Sequence, residues 1–326
     1  MNFNQLVHHI LKSSALAEAP PVLIDIGASG ALPREWELLA PYATCIAFDP
    51  DDREMAFIEE KKSQFRKLMV INRIVLDNDA TEHDFYLTSS PYCSSIFLPH
   101  KAGLSDWIFR DLFAVERKIM MKSIRLTTAL GQANVDRIDW FKTDTQGLDL
   151  RLFSSIGEMQ YKVLAFDCEP GFIDAYEGEE KISEMLAYMD KLPFWLSKFE
   201  AKGTKRANPD VMKPLFSDTE LRNLGGRSTD AACWAEMTFL NSFKDSSKFS
   251  TREYLLGIVF SIILKHYAFA GELAIRGKAM DPGNAIFDDV ISTLKDPANV
   301  PDSGRKVTVI QRALRKIASG LNRLAE

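Results

Sequence analysis

Four cysteines are scattered at 45, 93, 168 and 233 with no paired spacing, which excludes a zinc ribbon or a disulfide framework and fits a reducing compartment. The amino terminus, Met1-Asn-Phe-Asn-Gln-Leu-Val-His-His, has neither a basic start nor a long apolar run, so it does not read as a signal peptide, and a cytoplasmic location is expected. The longest apolar run, near Leu255–Leu264, is too short to span a bilayer. Charge of one sign is also scarce. A net of −5 over 326 residues gives no case for general nucleic-acid binding. No internal repeat or low-complexity tract is present. What remains is an ordinary globular composition, 46% hydrophobic and 26% charged, long enough for one domain plus an extension.

The informative stretch is Val22-Leu-Ile-Asp-Ile-Gly-Ala-Ser-Gly30. Its first five residues read as a buried parallel strand that runs into a glycine turn. Gly27 and Gly30 remove side chains where backbone must turn tightly and approach a ligand. Asp25 occupies a position that is glycine in a dinucleotide site, and a carboxylate there suits a cationic group such as an amino-acid ammonium rather than a pyrophosphate. Cys45–Asp49 reads as a second strand ending in an acid 22 residues beyond Gly27, where it can accept hydrogen bonds from ribose hydroxyls. Asp49 is followed by Pro50, and Asp52 caps a helix expected to run to about Phe65. Two acids and two glycines together point to a ribose-bearing ligand without phosphate at the turn, a description that S-adenosylmethionine meets.

Along the chain, Phe3, Leu6, Val7, Ile10 and Leu11 share a helical face ahead of the first strand. Leu68–Ile71 reads as a third strand. Arg73–Leu76 and His83–Leu87 read as a hairpin closed by Asp77-Asn-Asp79. Leu104–Met121 reads as an amphipathic helix presenting Trp107, Ile108, Leu112, Phe113 and Val115. Ile138–Asp144 is the fourth strand, followed by Thr145-Gln-Gly147 and a helix through Ile156. Val163–Phe166 is the fifth strand, ending in Asp167-Cys-Glu169-Pro170. The second, fourth and fifth strands thus end in acids that an alternating sheet sets on one edge. A helix over Glu180–Leu192 and strands at Phe194–Phe199 and Ala231–Leu240 complete the sheet, the late strands open to an antiparallel setting.

The first turn and the segment Phe141–Phe153 together resemble the FkbM-type methyltransferases. Lys142, Asp144, Gln146, Gly147 and Asp149 match the fourth-strand motif of that family, and Phe48-Asp49-Pro50, Ser94-Ser95, Glu169, Tyr176-Glu-Gly178 and Pro193-Phe194 match elsewhere. The likeness covers roughly residues 20–240. It departs at Asp167-Cys-Glu169-Pro170 and at Thr128-Ala129-Leu130. The resemblance implies an S-adenosylmethionine-dependent O-methyltransferase on a class I Rossmann-like sheet, doubly wound with about seven strands, acting on a hydroxyl of a saccharide, glycoconjugate or natural product. It implies cofactor contacts at Asp25, Gly27, Ala28, Gly30, Asp49, Pro50, Asn72, Asp144 and Gln146, and substrate contacts at Ser94, Ser95 and Gln146.

A hydroxyl needs a base within hydrogen-bond reach, and Asp144 is the first candidate with Glu169 second. Asp144 can equally orient the cofactor's ammonium or cap the next helix. The aligned acids can also hold a divalent cation that acidifies the hydroxyl. Two other classes stay open: a nicotinamide-dependent dehydrogenase and a catalytically silent scaffold.

The expected layout is an amino-terminal helix (1–20), a methyltransferase domain (21–242) and a helical extension (243–326). Within the extension, Ser250-Thr-Arg-Glu253 opens a helix expected to reach Arg276, buried in the protein or in a dimer interface. A second helix follows near Ala285–Leu294. The last helix, Arg305–Leu324, sets Ile310, Leu314, Ile317, Leu321 and Leu324 on one stripe among six positive charges, which suits docking on the body or a second subunit, or an anionic membrane surface. The expected partners are therefore a small-molecule or glycan acceptor and a peripheral membrane or a second copy of the chain.

Overall fold

The computed structural model describes residues 1–28, 32–50 and 62–299. In chain order its strands are β1 (Val22–Ile26), β2 (Thr44–Phe48), β3 (Lys67–Ile71), β4 (Ile74–Leu76), β5 (Glu82–Thr88), β6 (Val115–Arg125), β7 (Trp140–Thr143), β8 (Ala165–Cys168), β9 (Phe194–Thr204) and β10 (Ala231–Asn241). Seven of them form one sheet in the order β3-β2-β1-β7-β8-β10-β9. The first five run parallel, and β10 is antiparallel to both its neighbours. Helices cover both faces. The result is a mixed α/β fold with a mainly parallel sheet, compatible with a Rossmann-like fold. Among the described residues, no helix is long and apolar enough to cross a membrane.

β1 shows why the sheet sits where it does. All five of its residues are buried. Alternation sends Leu23 to one apolar layer and Val22, Ile24 and Ile26 to the other. The second layer is closed by the helices Leu126–Gln132, Asp149–Ser155 and Ile182–Met189. The first is closed by both ends of the chain. Phe3–Leu11 forms the expected amino-terminal helix with Leu6, Val7, Ile10 and Leu11 buried, and Phe3 stacks on Tyr267 with ring centroids 4.3 Å apart. Beside it lies the helix Thr251–Ile263, opened by the expected Ser250/Glu253 capping box and buried almost all round.

Arg252 at the first turn of that helix fixes it to the sheet. Its guanidinium donates to both carboxylate oxygens of Asp139 at 2.8 and 2.7 Å, and Asp139 also accepts the N–H of Val22 at 2.8 Å. The late helices and the start of β1 therefore share one buried carboxylate.

Three expectations are corrected. Leu104–Met121 is not a helix. A short helix (Lys101–Leu104) and a 3-10 turn (Arg110–Phe113) precede β6, whose Ile119, Met121 and Ser123 alternate inward. Trp107 and Phe113 are buried while Ile108, Leu112 and Val115 are 48, 47 and 41% exposed, so the single apolar face does not exist. Second, β4 and β5 do not pair with each other. β6 lies between them in a separate three-stranded sheet, parallel to β4 and antiparallel to β5. Third, the helix beginning at Thr251 stops at Ile263, and a new one runs Tyr267–Met280. Lys265 turns left-handed at φ 63°, and the N–H groups of Lys265 and His266 return to Ile262 and Ser261. That is a Schellman closure built without glycine, which is why the sequence hid it. The next helix, Ala285–Lys295, lies where expected. The helices expected over Arg305–Leu324 and from Asp52, with Asp51, Asp52 and Gly30, lie outside the described residues, apart from turns at 62–66.

Candidate functional site

Two cavities open at the carboxyl edge of the parallel strands, where open α/β sheets bind ligands. The first is a cleft of about 730 Å³. Gly27, Asp49 and Pro50 line it from the ends of β1 and β2, Asp144 and Gln146 from the end of β7, and Ser94 from the loop after β5. Its apolar wall comes from Ile74, Phe85 and Ile96, with Arg73 at the rim. The second cavity, of about 1000 Å³, is bounded by Glu169, Tyr176 and Trp234. Asp144, Gln146 and Tyr92 line both. The two spaces therefore meet at one carboxylate and one amide.

Asp144 is held at both its backbone and its side chain. Its N–H bonds to the carbonyl of Ile26 at 2.8 Å, tying the end of β7 to the end of β1. Gln146 Nε2 donates to Asp144 Oδ1 at 2.6 Å, and the Tyr176 hydroxyl donates to Gln146 Oε1 at 3.0 Å. Gln146 adopts φ 57°, a conformation that costs a residue with a side chain and persists where neighbours hold it. Ser95 is one such neighbour, since its hydroxyl donates to the carbonyl of Gln146 at 2.9 Å.

The acid on the following helix has a structural task. Asp149 accepts from the Thr145 N–H and hydroxyl at 3.0 and 2.5 Å and from the Glu169 N–H at 3.0 Å. It thereby joins the loops after β7 and β8, which carry the two candidate acids.

Burial raises the carboxyl of Asp144 to about 6 against the pull of the Lys142 ammonium. Burial, and next the charge of Asp144, raise Glu169 further, to about 9. Of the two expected bases Glu169 is raised the more strongly, so Asp144 is the better placed of the pair to stay ionised and accept a proton.

Asp25 is not where the sequence argument needs it. It is the register partner of Lys142 on β7, and alternation turns both side chains onto the sheet face, where they form an ion pair at 2.8 Å. Burial would depress the Lys142 ammonium, but the charges of Asp25 and Asp144 outweigh it and raise it. Asp25 is matched from within and does not line the cleft. Asp167 shares that face. It accepts from Trp140 Nε1 at 2.7 Å and from the Thr238 hydroxyl at 2.6 Å, so it is not part of the acid edge.

Gly27 makes the expected tight turn at φ 79° and lines the cleft, and a Cβ there would stand 2.1 Å from the carbonyl oxygen of Asp144. Its missing side chain thus also makes room for the neighbouring strand end.

Of the remaining expected contacts, Ala28 is buried with its N–H on the Phe48 carbonyl, and Asn72 lies next to the lining residue Arg73 but does not itself line the cleft. Ser95 supports Gln146 instead of facing either cavity. Sequence reasoning missed Tyr92, Arg73, Phe109 and Trp234. A tyrosine next to a singled-out serine loop was the one signal available. Among the described residues, no group of three or more His, Cys, Asp or Glu side chains could hold a metal ion.

No family model matches the chain, and no curated protein matches its sequence.

Proposed function

We propose that this protein is an S-adenosylmethionine-dependent O-methyltransferase that methylates a hydroxyl, the activity implied by its resemblance to the FkbM-type enzymes. The observation that carries the reading is the junction: a cleft with an acid at the end of β2 meets a second cavity at the buried carboxylate of Asp144. The donor set of the cleft fits the cofactor. Asp49 at the end of β2 would accept from ribose hydroxyls, and Ile74, Phe85 and Ile96 offer an apolar wall for a base. The cofactor supplies an electrophilic methyl on a sulfonium. The protein's part is to align the acceptor hydroxyl and to take its proton.

Asp144 takes that proton. Gln146 holds the carboxylate in one orientation, and Tyr176 holds Gln146. Lys142 keeps Asp144 ionised against burial. Asp25 does not select a cationic ligand, because Lys142 neutralises it. The negative character of the site rests instead on Asp144. The strand order supports the reading over a dehydrogenase. Counting within the large sheet it is 3-2-1-4-5-7-6 with one reversed strand, against 3-2-1-4-5-6 for the dinucleotide fold.

Calorimetric titration with S-adenosylhomocysteine tests the proposal. Binding is expected, weakened about 10–100-fold by Asp49→Ala through loss of charge-assisted hydrogen bonds. Tight binding of NADH with no response to S-adenosylhomocysteine would overturn it.

A further inference from the structure

The second cavity has its polarity at one end. A row of four rings runs along its wall from Trp234 to Phe109 (centroids 6.5 Å apart), Phe113 (5.2 Å) and Tyr176 (5.5 Å). Along that wall Tyr176, Glu179 and two thiols are already engaged or neutral, and the hydroxyls of Ser90 and Tyr92 complete the polar lining. The Tyr176 hydroxyl shares its one proton between the Cys93 carbonyl at 2.8 Å and Gln146 Oε1 at 3.0 Å. The carboxylate of Glu179 accepts the N–H groups of Ala175 and Tyr176 and pairs with Lys181 at 2.7 Å. Burial raises the thiols of Cys93, to about 11, and of Cys233, so both stay neutral. At the far end stand Asp144 and Gln146, shared with the cleft, and the raised carboxyl of Glu169.

A carbohydrate carries hydroxyls around its whole rim, and each would need a partner once buried. This wall offers rings instead. We propose that the second cavity takes an aryl hydroxyl, a phenol on a flat apolar body, with the oxygen at Asp144 and the body lying along the row of rings from Tyr176 toward Phe109 and Trp234. The inference rests on the methyl-transfer reading for its chemistry but not for its binding geometry.

Proton affinity agrees with the shape. A phenol titrates near 10, about four units above Asp144, whereas an aliphatic hydroxyl lies several units higher still. In the transfer step the phenolic oxygen forms a bond to the methyl carbon as the carbon–sulfur bond breaks. The sulfur keeps that electron pair and becomes a neutral thioether, and the phenolic proton passes to Asp144.

The test is calorimetry on the full chain with 2-naphthol and with methyl α-D-glucopyranoside, each with and without S-adenosylhomocysteine. Naphthol is expected to bind at least about tenfold more tightly than the glucoside. Trp234→Ala and Phe109→Ala, both at partly exposed positions, should each weaken naphthol roughly tenfold and leave S-adenosylhomocysteine binding unchanged. Equal or tighter binding of the glucoside, or naphthol binding indifferent to both substitutions, overturns the proposal. If naphthol binds in a Trp234-dependent manner while S-adenosylhomocysteine does not bind, the aryl site stands and the methyl-transfer reading falls.

Discussion

The two edges of the parallel sheet treat buried acids in opposite ways. At the amino edge Asp139 is fully matched, receiving two guanidinium N–H groups from Arg252 and one backbone N–H from Val22. At the carboxyl edge Asp144 and Glu169 are buried together, burial raising both and the charge of Asp144 raising Glu169 further, with Lys142 nearby but already on Asp25. The matched acid joins elements. The crowded pair holds two raised carboxyls where two cavities meet. A fold can place the same side-chain type at both ends of a sheet and obtain architecture from one and reactivity from the other.

The comparison breaks most sharply at Asp144. Asp144→Asn should lower methyl transfer about 10²–10⁴-fold by removing the base, with thermal stability kept or raised because a repelled charge is gone. Single-turnover rates and melting curves on the same preparation check both halves. Arg252→Ala should do the reverse. Leaving Asp139 buried and unpaired costs about 3–5 kcal/mol, read by urea denaturation, with S-adenosylhomocysteine affinity unchanged in the folded fraction.

Glu169→Gln sharpens the contrast through pH. The folded carboxyl titrates near 9 and the unfolded one near 4.5, so the native state binds the extra proton between those values. Its contribution to stability therefore falls as pH rises through that window. The variant's melting temperature should vary less between pH 5 and 9 than that of the parent, and a steeper dependence would refute the assignment. The smallest effect is expected from Tyr176→Phe, which removes the hydroxyl that holds Gln146. A cost of about 1 kcal/mol in stability should accompany a modest loss in turnover, and restoring the hydroxyl should restore both.

Much of the frame was legible in the residues. The buried run Val22–Ile26, the second strand ending at Asp49 and the fourth ending at Asp144 lie within two residues of their expected bounds, because short apolar runs ended by acids and glycines are local signals. The Ser250 and Glu253 capping box was legible for the same reason. What escaped is non-local. The pairing of Asp25 with Lys142 depends on register between residues 117 positions apart, and it reversed the meaning of the most informative aspartate. Phe109 and Phe113 lie in a segment whose apolar residues mimic a helical stripe, and Trp234 reaches them from a strand at the far side of the sheet. The raised carboxyl of Glu169 follows from its burial, and next from the company of Asp144 and Asp149 in space, which no spacing along the chain reveals.

The clamp of Arg252 on Asp139 bears on how the gene can be cut. Trp140 and Phe260 are ring neighbours 4.6 Å apart across the layer that the late helices close, so the chain after Phe243 is the back wall of the sheet. A fragment ending at residue 242 would leave that wall bare and Asp139 an orphan charge. Expression trimming should therefore leave the helices through Lys295 intact.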